Sequence, residues 1–422
     1  MTVGIGAGGI MGLALEALAP PVQTTPATSG SGGTLLAGTY RAYITAINAN
    51  GETTVSNEMS QVTTGTTSTI NWNWSAVTGA TGYKIYRTAI NGASGTELLL
   101  ATVGAVTTYL DTAPGSPSGA FPTVNTAFSP GTYTAPTKFF PFNSESLVST
   151  QETVWRRPIR QSADIIGAVP GNFHVEGDLE MEALEDVVIY FLMASRTACI
   201  KSGTPPNYVY TFTPTAAALP VRTLSLTVVR NGIVFGFTGC VVGSFTFGVS
   251  DGLMTFNMSM VGRDEAVQAV PTPTWPSTTP VGAGQYIIEI PTASVVTDTD
   301  TFEFQVEDNA EPQFRLKNTT RGAEFIKFGE RNSTMTMERD FESRTDFDAF
   351  KALTSQSITI TGTKGTNNQI VLNAPVAIKD TYEVGLSSQG DLVRASIAYQ
   401  NVIDGTGKSW QVVVKTQENM AV

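Results

Sequence analysis

Apolar and polar residues alternate along most of this chain, the period-two pattern of half-buried β-strands. "AGTYRAYITAINANGETT" places Tyr40, Ala42, Ile44 and Ala46 on one face and then reaches Asn50-Gly51, a strong hairpin-turn pair. "DGLMTFNMSMVG" places Met254, Phe256, Met258 and Met260 on one face, and "QGDLVRASIAYQ" does so with Val393, Ala395, Ile397 and Tyr399. The period lengthens to that of a short amphipathic helix in "ALEDVVIYFLMASR", residues 183–196, and in "TDFDAFKALTS", residues 345–355. Thr345 and Asp348 have the spacing of a capping box, with aspartate in place of the usual glutamate. Stretches rich in Thr, Ser, Pro and Gly at 22–33 and 112–131 have linker composition and delimit a module between them.

The remainder contains a repeat. "GAVPGNFHVEGDLE" at 167–180 matches "GERNSTMTMERDFE" at 329–342 with a constant shift of 162. Gly167, Glu176, Asp178 and Glu180 fall on Gly329, Glu338, Asp340 and Glu342, while Val175 falls on Met337 and Leu179 on Phe341. A helix and then antiparallel strands follow each copy. In those later strands the shift is 139, so the first copy carries extra chain, expected within residues 197–220. Strand periodicity alone also generates matches of this kind.

A length of 422 residues allows two or three domains. Gly 40 and Pro 22 favour strands and turns over helices. The net charge of -11 weighs against a surface that grips nucleic acid, yet leaves room for one that DNA slides past. Between 21 and 129, Arg41, Lys84 and Arg87 nearly balance Glu52, Glu58, Glu97 and Asp111, so the acidity belongs to the remainder. Cys199 and Cys240 make no disulfide framework and read as buried thiols. Ala17-Leu18-Ala19 imitates a secretory cleavage site. No Lys or Arg precedes Arg41, however; Gly4, Gly6, Gly8, Gly9 and Gly12 interrupt the apolar run, and Pro20-Pro21 follow it. No signal peptide is expected.

Glu176, Asp178, Glu180 and Glu182 are two apart and share one strand face, with Val175, Leu179 and Met181 on the other; Glu338, Asp340 and Glu342 repeat the row. Three readings stand open: a solvated face, a wall whose fixed charge repels phosphate, and a calcium site or catalytic carboxylate pair. Carboxylate catalysis needs two groups in different environments, which a row of like groups does not offer. His174 is the one histidine, so no histidine metal cluster or triad can be built. "GIGAGG" at 4–9 has no preceding strand, and Arg156, Arg157 and Arg160 read as a salt-bridged surface spot. No catalytic residue, metal or cofactor is assigned, and no enzyme activity is expected.

Two resemblances sharpen this. Trp74 followed by "SAVTGATGYKIYR" resembles a fibronectin type III module, whose core tryptophan lies on one strand and whose Tyr-x-x-Tyr lies on the next, here Tyr83 and Tyr86. "YRAYITAINANGE" resembles the late strands of such a module but comes first, as in a circular permutation. With the module removed, Glu16 leads to "GTYTAPTKFFPFNSESL", residues 131–147. That composite resembles the opening of the major tail tube proteins of long non-contractile-tailed bacteriophages (siphoviruses).

The tail tube resemblance implies a mainly β chain of two tandem β-barrel or sandwich tube domains, each with one short α-helix, plus an inserted Ig-like or fibronectin III-like β-sandwich. The first tube domain is discontinuous, 1–20 and 130–280; the insert is 21–129; the second tube domain is 281–422. Trp74, Tyr83 and Tyr86 form the insert's core. The resemblance further implies a structural virion protein, made in the host cytoplasm, that stacks as rings into a tube for DNA in transit. Two domains per chain favour a pseudo-hexameric trimer over a hexamer. The acidic rows would face the lumen. Partners would be other copies and the terminator, tape measure and distal tail components. The insert would sit outside and bind a host-surface glycan weakly. The competing reading is a secreted adhesin or glycan-binding β-sandwich.

Overall fold

A computed structural model describes residues 9–157, 164–217, 222–316, 321–385 and 392–420. Gly4, Gly6 and Gly8, most of "GIGAGG", and Arg160 lie outside these residues. The chain forms two compact units, one from the residues up to Leu15 with Tyr133–Met420, the other from Glu16–Thr132. Both are built from strands, and the described residues contain two helices.

The larger unit begins with β1 (Ile10–Leu15), β2 (Val148–Arg156), β3 (Gly167–Glu182), α1 (Glu185–Met193), β4 (Thr197–Thr204) and β5 (Asn207–Pro214). Next come β6 (Leu224–Arg230), β7 (Ile233–Ser250), β8 (Leu253–Gly262), β9 (Asp264–Ala266), β10 (Tyr286–Glu289) and β11 (Thr299–Glu307). It ends with β12 (Asn332–Asp340), α2 (Thr345–Lys351), β13 (Ser355–Lys364), β14 (Asn368–Gly385), β15 (Arg394–Asn401) and β16 (Gln411–Thr416).

One antiparallel sheet runs β2–β3–β8–β7–β11–β12–β15–β14. Two smaller ladders, β1–β6–β7–β9 and β10–β13–β14–β16, have the same order. The 18-residue strands β7 and β14 belong to both layers: their first halves pair in the small ladders and their second halves in the long sheet. Each breaks register at the crossing, between Val242 and Ser244 in β7 and between Lys379 and Thr381 in β14. A bulge bends a strand, which lets one strand serve two layers. The pairings form an open network, and no barrel closes among the described residues.

Between the layers lies an aromatic core. Phe247 and Phe256 rings sit 4.6 Å apart, and Phe245 meets Trp410 edge-on at 5.7 Å. Burying one such side chain contributes roughly 1.5–3 kcal/mol. α1 is central to this core: all nine of its residues are buried, so it is not the amphipathic helix that its sequence suggests. Lys138 Nζ holds its Asp186 at 2.7 Å, and burial pushes the neighbouring Glu185 carboxyl above the ordinary range.

α2 buries none of its residues. Thr345 does not cap it: Arg344 occupies the cap position, no side chain caps the amides, and Arg344 Nε pairs with Asp348 at 3.1 Å instead. The extra chain of the first half is the β4–β5 hairpin, and β5 pairs with β16. Strand pairing also corrects the repeat. The two bulges align Met260 with Tyr399, a shift of 139. Asn257 and Ser396 then correspond, and their partners across the ladder are Glu180 and Glu338. The first strands therefore correspond at a shift of 158, not 162. An even offset leaves every side chain on its own face, so alternation could not reveal the slip.

In the smaller unit, Gln23–Ser29, Thr69–Trp74 and Thr108–Asp111 form one sheet. Met59–Thr63, Gly38–Ile47, Gly82–Arg87 and Leu98–Gly104 form another. Ile70, Trp72 and Trp74 from the first sheet pack with Tyr40, Ile44, Tyr83 and Ile85 from the second. Trp74 and Tyr83 rings are 5.3 Å apart. Tyr86 lies outside that inter-sheet core: residues three apart on a strand point oppositely, and Tyr86 packs on Phe121 and donates to Glu52 at 2.6 Å. The chain does reverse tightly at Asn50-Gly51, one residue earlier than the pair suggests: Asn48 N donates to Gly51 O at 3.0 Å and Thr53 N to Ala46 O at 2.9 Å, so Ala49 and Asn50 form the tip, and the Asn48 side chain accepts the Asn50 and Gly51 amides. The segments entering and leaving the unit run side by side, with Leu18 N donating to Ala127 O and Ser129 N to Glu16 O, both at 2.9 Å.

Glu97 is 1% exposed, and burial beside the Glu58 carboxyl pushes its own carboxyl up to about 7. A raised folded value stabilises fully below the unfolded value of 4.5, and the contribution is lost as pH rises to about 7. The lowered Glu58 acts in a separate window, losing its contribution as pH falls below 4.5. Between pH 5 and 8 the smaller unit should lose roughly 2 kcal/mol of stability. Hydrogen exchange at the Trp72 and Tyr83 amides measures this, and Glu97→Gln should flatten the profile.

Candidate functional site

The long sheet has one apolar and one polar face, because register carries alternation across every strand. Val175, Leu179 and Met181 stand opposite Gly262, Met258 and Phe256; Phe245 and Phe247 stand opposite Val306 and Phe304. On the other face Glu176, Asp178, Glu180 and Glu182 stand opposite Val261, Ser259, Asn257 and Thr255. The row continues through Ser244, Thr246 and Gly248 to Glu307, Gln305 and Glu303. Glu303 then faces Thr336, Glu338 faces Ser396, and Ser396 faces Glu383.

The structure thus puts Glu176, Asp178, Glu180, Glu182, Glu338 and Asp340 on one sheet face. Glu342 is not on it: β12 ends at Asp340, Phe341 N bonds Val393 O, and the chain turns towards α2. Glu303, Glu307 and Glu383 join the face and were missed from the sequence. The signal was in "TFEFQVE", whose Phe302, Phe304 and Val306 alternate with Glu303, Gln305 and Glu307.

Hydrogen bonds orient part of the row. Thr150 Oγ1 donates to Glu176 and Ser144 Oγ to Glu180, both at 3.1 Å, and His174 Nε2 lies 3.3 Å from Glu176. Arg394 bridges Asp300 at 2.7 Å and Asp340 at 3.9 Å. Among the described residues no cation lies within 4.0 Å of Glu180, Glu303 or Glu338. These three share a concavity of about 550 Å³ with Thr246, Asn257 and Ser396. Among the described residues no three His, Cys, Asp or Glu side chains are placed to hold a metal ion. What the arrangement offers chemically is a fixed negative field over a concave wall.

Among the described residues, Thr381–Gly385 of β14 pair only with β15, and β2 pairs only with β3. Just before β2, Leu147 is closed off: its N–H donates to Glu145 and its carbonyl accepts from Arg230. Unpaired strand edges present rows of free amides and carbonyls and template the addition of another strand. A mainly β chain with such edges and a polar face rich in carboxylates has the features of a structural protein rather than of an enzyme's cleft.

The chain belongs to the phage tail tube protein family, whose model matches residues 101–400. No curated protein matches it. Family membership makes it a virion component that assembles with itself into a tube and meets other tail components; the family is structural and not one of enzymes. No helix among the described residues is long and apolar enough to cross a membrane.

Replacing Glu180, Glu303 and Glu338 together by Lys should leave folding within about 1 kcal/mol, because these side chains serve no buried contact. The variant should gain salt-sensitive affinity for double-stranded DNA, with the slope steepening by roughly one per phosphate neutralised. Fluorescence anisotropy against salt measures this, and the unaltered chain should show no binding.

Proposed function

We propose that the chain forms the tail tube wall of a long non-contractile-tailed phage, with the acidic sheet face turned to the lumen through which DNA passes. The observation that carries this reading is the single polar face, which runs unbroken from Glu176 through Glu303 to Glu338 and Glu383. DNA carries one negative charge per about 1.7 Å of axis, so a wall of like charge conducts it without holding it. A gripping surface would need the opposite sign.

Residues 1–20 with 130–280 and residues 281–422 are two tube domains fused in one chain. The matching ladder orders β1–β6–β7–β9 and β10–β13–β14–β16 support duplication. Three chains then supply six tube units per ring, a pseudo-hexamer. The ring closes by pairing the free β14 edge of one copy with the free β2 side of the next. Terminator, tape measure and distal tail proteins meet the tube at its ends and along its lumen.

Residues 21–129 form a fibronectin III-like module outside the tube wall, with Trp74 and Tyr83 in its core and Trp72 beside them. Its reading as a weak binder of host-surface glycans rests on its separation as a unit joined to the wall by two adjacent segments. A secreted adhesin would share the sandwich but would have no use for the duplicated sheet.

Native mass spectrometry of rings released from assembled tubes tests the stoichiometry. Three chains per ring are expected; six would refute the pseudo-hexamer. Deleting residues 22–128 should leave hollow tubes of unchanged bore by electron microscopy, and failure to assemble would make the module part of the wall.

A further inference from the structure

Three Asn-Gly pairs occur in the chain, at Asn50-Gly51, Asn91-Gly92 and Asn231-Gly232. In such a pair the backbone nitrogen of the glycine can attack the asparagine side-chain carbonyl carbon, because glycine has no Cβ to block the approach. The reaction needs two freedoms: a carboxamide able to swing and a glycine N–H not engaged with an acceptor. The structure withholds both from two of the pairs and leaves them to the third.

At Asn50, Nδ2 donates to the Phe128 carbonyl at 2.8 Å, and the Gly51 amide donates to Asn48 Oδ1 at 3.0 Å. At Asn91, Oδ1 accepts the Thr39 amide at 3.0 Å, and the Gly92 amide donates to the Ala89 carbonyl at 3.0 Å. Asn231-Gly232 is different. It forms the two-residue turn between β6 and β7, where Arg230 faces Ile233. Positive φ at both residues, 51° and 77°, is the pattern of a type I′ turn. Both residues are exposed, and among the described residues neither the Asn231 side chain nor the Gly232 amide has a hydrogen-bond partner.

We propose that Asn231 is a self-modifying site that converts to isoaspartate, with water as its co-reactant. Solvent hydroxide removes the Gly232 amide proton, and that nitrogen bonds to Asn231 Cγ. The Cγ–Nδ2 bond breaks, ammonia leaves with the proton it gains, and a succinimide ring remains. Water then adds to one of the ring's carbonyls. Opening at Cγ gives aspartate. Opening at the former backbone carbonyl gives isoaspartate, whose main chain runs through Cγ and is one carbon longer. A two-residue turn has no slack for that carbon, so the pairing of Arg230 with Ile233 opens. The conversion also adds a negative charge next to Arg230, whose Nε and Nη2 bind Glu145 at 2.7 and 2.5 Å. Asp251-Gly252 has the same backbone at the β7–β8 turn, with φ of 50° and 79°, but its carboxylate is a far poorer electrophile than a carboxamide. The site belongs to the chain itself and does not depend on the tube reading.

The test holds the full-length chain in mildly alkaline buffer and follows each pair by peptide mass spectrometry. Asn231 should deamidate at least about tenfold faster than Asn50 or Asn91, which must first give up their hydrogen bonds. Its rate should rise in proportion to hydroxide. Its products should be a mixture of aspartate and isoaspartate, the latter accepting labelled methyl groups from an isoaspartyl methyltransferase. The isoaspartate form, separated chromatographically, should melt lower than the Asn231→Asp variant, which carries the same charge without the longer backbone; equal melting would overturn the opening of the turn. Equal rates at all three pairs, or faster reaction at Asn50 or Asn91, overturn the assignment. So does aspartate without isoaspartate, which marks direct hydrolysis rather than ring closure. An Asn231 that stays intact while a free peptide of residues 228–235 converts overturns it as well.

Discussion

The backbone of an edge strand must find hydrogen-bond partners, and this constraint organises the molecule. Inside the chain it is met where β7 meets β11: that ladder fuses the sheets of the two halves into one surface eight strands wide. Among the described residues the same constraint is unmet at β14 and at β2. The proposed assembly meets it by repeating the internal solution between neighbours. Burial at the internal joint reinforces it, since Asp308, 1% exposed, is held by Arg331 at 2.6 Å. Removing one partner of such a pair typically costs about 3–5 kcal/mol, because the other charge stays buried.

Alternation then divides the labour between faces. Residues one apart on β3, β8, β11 and β12 send aromatic and sulfur-bearing side chains into the core and carboxylates or hydroxyls to the concave side. The two halves are not identical in use. α1 is wholly buried while α2 buries nothing, and only the first half owns the β4–β5 hairpin that pairs with β16. The chain's tail is fastened there too: Lys138 Nζ and the Tyr190 hydroxyl both reach Glu418 at 2.9 Å.

Period-two alternation made the strands and the first acidic row legible, because burying one face forces it on the sequence. The smaller unit was legible from Trp74 and Tyr83, but the Thr- and Pro-rich stretch after Val22, read as a linker, is the strand Gln23–Ser29 of its own sheet, paired with Thr69–Trp74. Other features were not. α1 looked amphipathic because Glu185 and Asp186 open it, yet both are buried, Asp186 beside Lys138 from a distant segment. The repeat was read four residues out of step because register is fixed by cross-strand partners, which a single sequence does not display. Glu303 and Glu307 lay in plain alternation, but their place beside Glu180 depends on the β7–β11 joint. Glu342 continued the spacing of its row after the strand itself had ended.

Backbone amide exchange followed before and after tube assembly bears most directly on the central claim, that one sheet passes from chain to chain through these edges. The account predicts new protection at those amides of Thr381–Gly385 and Val148–Thr150 that point away from β15 and β3, while Ser146, bonded to Asp178, Leu147, bonded to Glu145, and Glu303–Glu307 stay as protected as before. Unchanged exchange at both edges in fully formed tubes would contradict it.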